Sequence, residues 1–212
     1  MALRPIVKSP DMPQLIRELQ EIWEAEQLRR NDFYDWVSPD IKAEFIDGEV
    51  VVHSPVRLKH NLVTGALFKL LDTYVLQNKL GFVGIEKIMS RFTRNDYEPD
   101  ILFFGKEKSA QFQSEQTIFP VPDFIVEVLS DSTEERDRGV KFTDYALHQV
   151  AEYWIIDAET ESIEQYLLED GSFRLHASLQ NGLIESRVVV GFRIPVRAIF
   201  DGELQILAFK AM

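Results

Sequence analysis

The stretch DFIVEVL, residues 123–129, places one carboxylate, Glu127, inside an apolar run. Glu is almost never buried unless it is paired or bound to a metal, because an isolated carboxylate is costly in a low dielectric. A second apolar run, residues 101–104, follows Asp100 and so supplies another acid at the mouth of a strand. Two acids on neighbouring strands predict a metal site.

The segment after residue 129 predicts the architecture around that strand. Ser132 and Glu135 have capping-box spacing, which predicts a helix over 133–148. The apolar residues 152–157 then predict the next strand. A strand, helix and strand in succession imply a crossover that joins parallel strands. Because hairpin signals occur elsewhere, we expect an α/β protein, of the α+β type, with a mixed sheet.

Periodicity and turn signals predict the other elements. An apolar stripe at helical spacing runs along residues 13–30, and a longer one runs along residues 56–78. We expect a helical N-terminal extension over 1–36 and one domain over 37–212, with a surface loop over 105–120. The remaining predictions are hairpins of strands 43–46 with 49–53 and 82–92 with 99–104, short C-terminal strands at 161–168, 173–178 and 184–190, and a short final helix.

Composition limits the classes of function. The net charge of −12 argues against broad electrostatic attraction to nucleic acid, so any such contact must be local. The absence of Cys excludes a disulfide framework, thiolate zinc sites and cysteine nucleophiles. No apolar run is long enough to span a membrane, and the first residues lack the apolar core of a signal peptide. We therefore expect a cytoplasmic protein without a membrane partner.

The two acids and a lysine form the candidate catalytic set. Side chains alternate along a strand, so Glu127 belongs to the face that also carries Asp123. If the Asp100 strand lies beside it, both carboxylates can reach one Mg²⁺ ion, whose preferred ligands are carboxylate oxygens and water. Lys141 and Tyr145 lie on one face of the following helix, with Asp137 one turn earlier. Lys141 could orient the attacking water, or it could form an exposed ion pair with Asp137.

Five segments together carry a resemblance to a known family. The order of a long helix, strands that bear Asp100 and Glu127, a helix and a further strand resembles the PD-(D/E)XK nuclease superfamily. More narrowly, the segments resemble the Uma family of bacterial restriction endonucleases. They are IDGE at 46–49, HSP at 53–55, EPD at 98–100, VEVLS at 126–130 and RDRGVKF at 136–142.

The resemblance implies a restriction-endonuclease-like fold and hydrolysis of DNA phosphodiester bonds that depends on Mg²⁺, with Mn²⁺ as a substitute. Asp100 and Glu127 would be the metal ligands, and Asp100, Glu127 and Lys141 the catalytic residues. One departure from the superfamily pattern is Leu129, which stands where the superfamily motif has Lys. The Uma family is similar in this respect, and the lysine of its following helix corresponds to Lys141.

Several residues remain as further candidates, each with a plainer alternative. Glu49 and Glu86 could add acids or be ordinary strand residues, and His60 could contact phosphate or be structural. Tyr145 shares the face of Lys141, and Arg138 could bind the substrate phosphate. Two other functions stay open: a nuclease-fold interaction module without catalysis, and a hydrolase of a small phosphate ester. The N-terminal apolar stripe is also compatible with a homodimer.

Overall fold

The computed structural model describes residues 3–38 and 40–212. Within them, the α-helices are α1 (Leu3–Val7), α2 (Met12–Trp36), α3 (Leu58–Asn78), α4 (Lys106–Ser109), α5 (Glu134–Arg138), α6 (Val140–Leu147) and α7 (Gly202–Ala211). A 3-10 helix spans Val196–Ile199. The strands are β1 (Ala43–Ile46), β2 (Glu49–Val52), β3 (Gly81–Ile85), β4 (Met89–Arg91), β5 (Asp96–Tyr97), β6 (Ile101–Gly105), β7 (Ile118–Phe119), β8 (Phe124–Val128), β9 (Glu152–Asp157), β10 (Ser162–Glu169), β11 (Ser172–Leu179), β12 (Leu183–Glu185) and β13 (Arg193–Pro195).

The chain divides into two compact units. Unit 1 contains the described residues up to His53 together with Thr93–Tyr97, and unit 2 contains Ser54–Phe92 and Glu98–Met212. The boundary expected at residue 36 stays a prediction. No helix in the described part of the chain is both long and apolar enough to cross a membrane.

Unit 1 combines helix α2 with the antiparallel strands β1, β2 and β5. The β1–β2 hairpin turns at Asp47 and Gly48, which both have positive φ, 52° and 85°. Positive φ at both central residues matches the twist of a two-residue hairpin, and Gly adopts it without a steric penalty. Strand β5 pairs with β1 through Asp96 and Phe45, and Phe33 of α2 packs its ring 5.8 Å from that of Phe45. The predicted 43–46 and 49–53 hairpin is confirmed.

Unit 2 is built on a six-stranded mixed sheet in the order β11-β10-β9-β8-β6-β3. Only β8 and β9 pair in parallel within this sheet. Helices α5 and α6 lie between them in the chain, which confirms the predicted crossover. The mixed α/β fold class is likewise confirmed.

The two faces of this sheet have different layers. Phe124, Val126 and Val128 of β8 join a buried cluster with the apolar stripe of α3, including Leu67 and Leu71. On the other face of the sheet, the ring of Tyr153 in β9 packs against aromatic rings of α6. Glu127 alternates with its apolar neighbours and therefore belongs to the α6 face.

Three predicted elements are wrong in detail. Strand β3 pairs with β6 and ends at Ile85, because Glu86 takes a left-handed φ of 57°, so residues 82–92 are not one hairpin strand. The 105–120 loop contains α4 and β7, which pairs in parallel with β4. Strand β12 stops at Glu185 because the backbone N–H groups of Arg187 and Val188 donate to the Glu152 carboxylate.

Candidate active site

Asp100 and Glu127 lie opposite each other on adjacent strands. Strands β6 and β8 place Ile101 opposite Val126 in antiparallel register, and the next pair outward is Asp100 with Glu127. The Asp100 N–H donates to Glu127 Oε2 at 3.4 Å, and the Val128 N–H donates to Asp100 Oδ2 at 2.9 Å. The residues are 5% and 3% exposed. The fold therefore brings together the two acids that the sequence singles out.

Lys141 contacts this acid pair directly. Its ammonium lies 3.0 Å from Glu127 Oε1 and 3.2 Å from Asp137 Oδ1. The Tyr145 hydroxyl donates to the same Glu127 oxygen at 2.9 Å. All these side chains are buried, so the alternative prediction of an exposed Asp137–Lys141 ion pair is wrong. The ammonium is a fixed positive charge beside the two-acid site.

A break in the helix sets the position of Lys141. The predicted helix over 133–148 is two helices, α5 and α6, because Gly139 has φ −111° and ψ −100°. A Cβ at Gly139 would meet the Glu135 carbonyl oxygen at 2.6 Å, so this backbone approach requires glycine. Thr133 rather than Ser132 precedes the first helix, and its side chain does not cap it. Asp137 and Lys141 thus come from different helices and still meet.

Tyr153 closes the buried side of the site. Its hydroxyl donates to the Asp137 carbonyl oxygen at 3.1 Å. Burial raises the pKa of Tyr153 well above its ordinary value, and the Asp137 and Glu127 carboxylates raise it further. The phenol therefore stays protonated at neutral pH and acts as a hydrogen-bond donor to the last turn of α5, the helix that carries Asp137.

His60 and Glu86 reach Asp100 from other elements. His60, in the first turn of α3, places Nε2 3.1 Å from Asp100 Oδ2. Glu86 follows β3, and its N–H donates to the Asp100 carbonyl oxygen at 3.0 Å. One ligand atom from each of the three side chains lies within 4.8 Å of the others. His60 and Glu86 are therefore brought to the site.

This group fits a divalent metal ion. Carboxylate and imidazole groups are ordinary metal ligands, and two of the three residues are buried. Asp100 belongs to the group and was expected to bind metal. Glu127 is not one of the three, and its Oε1 accepts hydrogen bonds from Lys141 and Tyr145. Its second oxygen faces the Asp100 N–H. The ligand role of Glu127 stays a prediction.

The other candidate residues lie elsewhere. Glu49 is an exposed residue of β2 in unit 1. Arg138 forms ion pairs with Glu134 and Glu164. Leu129, at the position where the superfamily has Lys, uses its N–H to donate to the Ile156 carbonyl in the parallel pairing. The sequence does not identify Asp137 and Tyr153 as parts of the site; the i,i+4 spacing of Asp137 and Lys141 was the available signal for Asp137.

Comparison with known proteins assigns the family. The Uma2 family model, described as "Putative restriction endonuclease", matches residues 30–197. The chain belongs to the Uma2 family. An uncharacterized protein of Synechocystis sp. (strain PCC 6803) is 28% identical over 127 residues, which is 59% of this chain and 71% of that protein. The resemblance found in the sequence is confirmed.

A solved structure shares the fold. It is a crystal structure from Anabaena variabilis, described as "a putative nuclease belonging to DUF820". The match has a TM-score of 0.70 at 14% identity and covers 82% of this chain and 97% of that one. At this identity the likeness concerns the fold alone. Family and fold together support a nuclease.

Proposed function

We propose that this Uma2 protein is a metal-dependent endonuclease that hydrolyses DNA phosphodiester bonds. The observation that carries the proposal is the Lys141 ammonium 3.0 Å from Glu127, which itself faces Asp100 across two paired strands. Phosphodiester hydrolysis needs acids that hold a divalent ion and a cation near the attacking water. Mg²⁺ is the ion expected from the sequence.

Each side chain has a role in the proposed reaction. A divalent ion at Asp100 would supply positive charge to the phosphoryl oxygens. Lys141 positions the attacking water and stabilises negative charge that develops on the phosphate. Glu127 and Asp137 hold the ammonium in place from two sides, and Tyr145 fixes Glu127. Because these groups are buried and mutually bonded, their geometry exists before substrate binds.

The local charge near His60 supports a phosphate-bearing substrate. His60 lies in the first turn of the 21-residue helix α3, where N–H groups point toward the helix start and favour anions. Arg57 and Lys59 flank it as exposed side chains, paired with Asp131 and Glu159, and a phosphate would compete with these two carboxylates. A local basic patch of this kind is what an acidic protein needs to bind DNA.

Cleavage of supercoiled plasmid with Mg²⁺ or Mn²⁺ tests the proposal. Glu127→Gln keeps the size of the side chain but removes the charge that holds Lys141, so we expect the rate to fall by about 10²–10³-fold. Wild type and variant are prepared identically, so a contaminating nuclease would cleave equally in both. Cleavage unaffected by the substitution would overturn the catalytic assignment, and inactivity of both would favour the interaction module.

The oligomeric state is a separate part of the proposal. Helix α2 has no buried residue before Glu26, and Ile16, Leu19 and Ile22 are at least half exposed. Burial of this stripe against a second copy would remove apolar surface from water. We expect sedimentation equilibrium to show a dimer, and Ile16→Glu with Ile22→Glu to give a monomer. A monomeric wild type at about 100 μM would exclude the dimer, since even a micromolar affinity would populate it at that concentration.

A further inference from the structure

His60 introduces a nitrogen atom into a site otherwise made of oxygen ligands. One ring nitrogen of His60 and one carboxylate oxygen from each of Glu86 and Asp100 lie within 4.8 Å of one another. His60 is 7% exposed, so its imidazole is held among protein groups rather than in solvent. The contact with Asp100 Oδ2, at 3.1 Å, joins the nitrogen to the acid that ends the EPD motif.

We propose that His60 is a metal ligand and that its nitrogen makes the centre prefer Mn²⁺ to Mg²⁺. The proposal deepens the proposed function and rests on it for the role of the metal. Mg²⁺ takes oxygen ligands and gives up its water reluctantly. Imidazole suits transition ions, whereas carboxylates suit both Mg²⁺ and Mn²⁺. A set of one imidazole and two carboxylates therefore favours Mn²⁺ over Mg²⁺.

The spacing of His60 and Asp100 fits two ligands of one ion. Neighbouring ligands of an octahedral ion with bonds of about 2.1 Å lie roughly 3 Å apart. The 3.1 Å between His60 Nε2 and Asp100 Oδ2 has this value. Metal binding would replace their hydrogen bond with two bonds to the ion, without a large movement of either side chain.

Thr64 can accept a hydrogen bond from the Nδ1 proton that His60 carries when Nε2 binds metal. A histidine that binds metal through Nε2 carries its proton on Nδ1, where a second group usually accepts it. Thr64 Oγ1, one turn along α3, lies 3.5 Å from His60 Nδ1. The short hydroxyl can approach Nδ1 by a small rotation once the tautomer changes. Helix α3 thus supplies both the ligand and the group that orients it.

Glu86 provides a matched control within the same group. Its left-handed backbone, with φ 57°, and its N–H bond to the Asp100 carbonyl direct it to the Asp100 end of β6. Glu86 contributes oxygen, which Mg²⁺ and Mn²⁺ both accept. Loss of the Glu86 carboxylate should therefore lower the affinity for both ions alike, whereas loss of His60 should lower the affinity for Mn²⁺ selectively.

Calorimetric titration of the full chain with Mn²⁺ and Mg²⁺ tests this difference. We expect His60→Gln to lower Mn²⁺ affinity by about 10–100-fold and to lower Mg²⁺ affinity much less. Glu86→Gln should lower both and leave their ratio near that of wild type. Circular dichroism checks that each variant is folded. An Mn²⁺ to Mg²⁺ ratio that is unchanged in His60→Gln would overturn the proposal.

A spectroscopic measurement on the wild type needs no variant. Electron spin echo modulation of bound Mn²⁺ detects a directly coordinated ¹⁴N nucleus. We expect ¹⁴N modulation from wild type and none from His60→Gln; its absence from the wild type would refute the nitrogen ligand. Nitrogen coupling without DNA cleavage would refute only the nuclease proposal, whereas cleavage without nitrogen coupling would refute only this inference.

Discussion

Buried ion pairs occur in both units, but they are built differently. In unit 1, Arg30 forms two hydrogen bonds with Asp96, at 2.6 and 2.8 Å, and donates further to the Thr93 and Asn95 carbonyl oxygens. Tyr34 donates to the same carboxylate. In this network the rigid, planar fork of arginine matches a carboxylate and ties together segments distant in sequence.

The network of unit 2 uses a lysine instead. Lys141 is a compact charge on a flexible stem, held between Glu127 and Asp137. Two carboxylates share one ammonium, and a third acid, Asp100, lies opposite Glu127. These contacts bring three acids and one ammonium together. A bound metal ion would offset that excess, as the proposed function requires of the second network, whereas the contacts of the first network need no ion.

Substitution of each cation by Met breaks the two networks in parallel. Removing one partner of a buried pair costs about 3–5 kcal/mol, so we expect Arg30→Met to lower the free energy of unfolding by that amount. It should leave the rise in melting temperature caused by Mn²⁺ unchanged. Lys141→Met also removes a buried cation, but here bound Mn²⁺ can supply positive charge in its place. The rise in melting temperature caused by Mn²⁺ should therefore be larger in this variant than in wild type.

Thermal unfolding with and without Mn²⁺ measures both effects, with a chelator series as the metal-free reference. If Mn²⁺ stabilised the two variants equally, the distinction between the networks would be lost. A smaller Mn²⁺ effect in Lys141→Met than in wild type would instead mean that the lysine helps metal binding, contrary to electrostatic expectation.

The sequence predicts best where chemistry is local. Glu127 stands out because an acid in an apolar strand needs compensation, and the parallel β8–β9 pair follows from the order of elements. Lys141 follows from a helical face, although the helix is broken at Gly139. These inferences need only alternation, spacing and burial.

Other features depend on contacts that no local pattern shows. Glu86 ends strand β3 in a left-handed conformation, which propensity does not predict for a glutamate. The Glu152 carboxylate accepts hydrogen bonds from Ser186 and two backbone N–H groups beyond it, so a strand expected over 184–190 stops early. The sequence is compatible with Asp137 as a surface residue, but in the fold Asp137 is buried against Lys141. Such long-range pairings override local propensity.

Arg138 supplies the smallest expected effect and a reference for both networks. Its guanidinium bonds to Glu164 at 2.6 and 3.3 Å and to Glu134 at 3.1 Å, on a partly exposed surface. The Glu164 hydrogen bond raises the pKa of Arg138 although burial opposes it. Because exposed pairs contribute about 0–1 kcal/mol, Arg138→Met should change the free energy of unfolding by no more than that in urea titrations. A larger loss of unfolding free energy would mean that the Arg138 ion pairs contribute as much as the buried networks.

The sequence also predicts a phosphate contact for Arg138, and that contact would require the guanidinium to leave two carboxylates. We therefore expect the dependence of DNA binding on salt to be unchanged, and a logarithmic slope smaller by about 1 would instead support the phosphate contact.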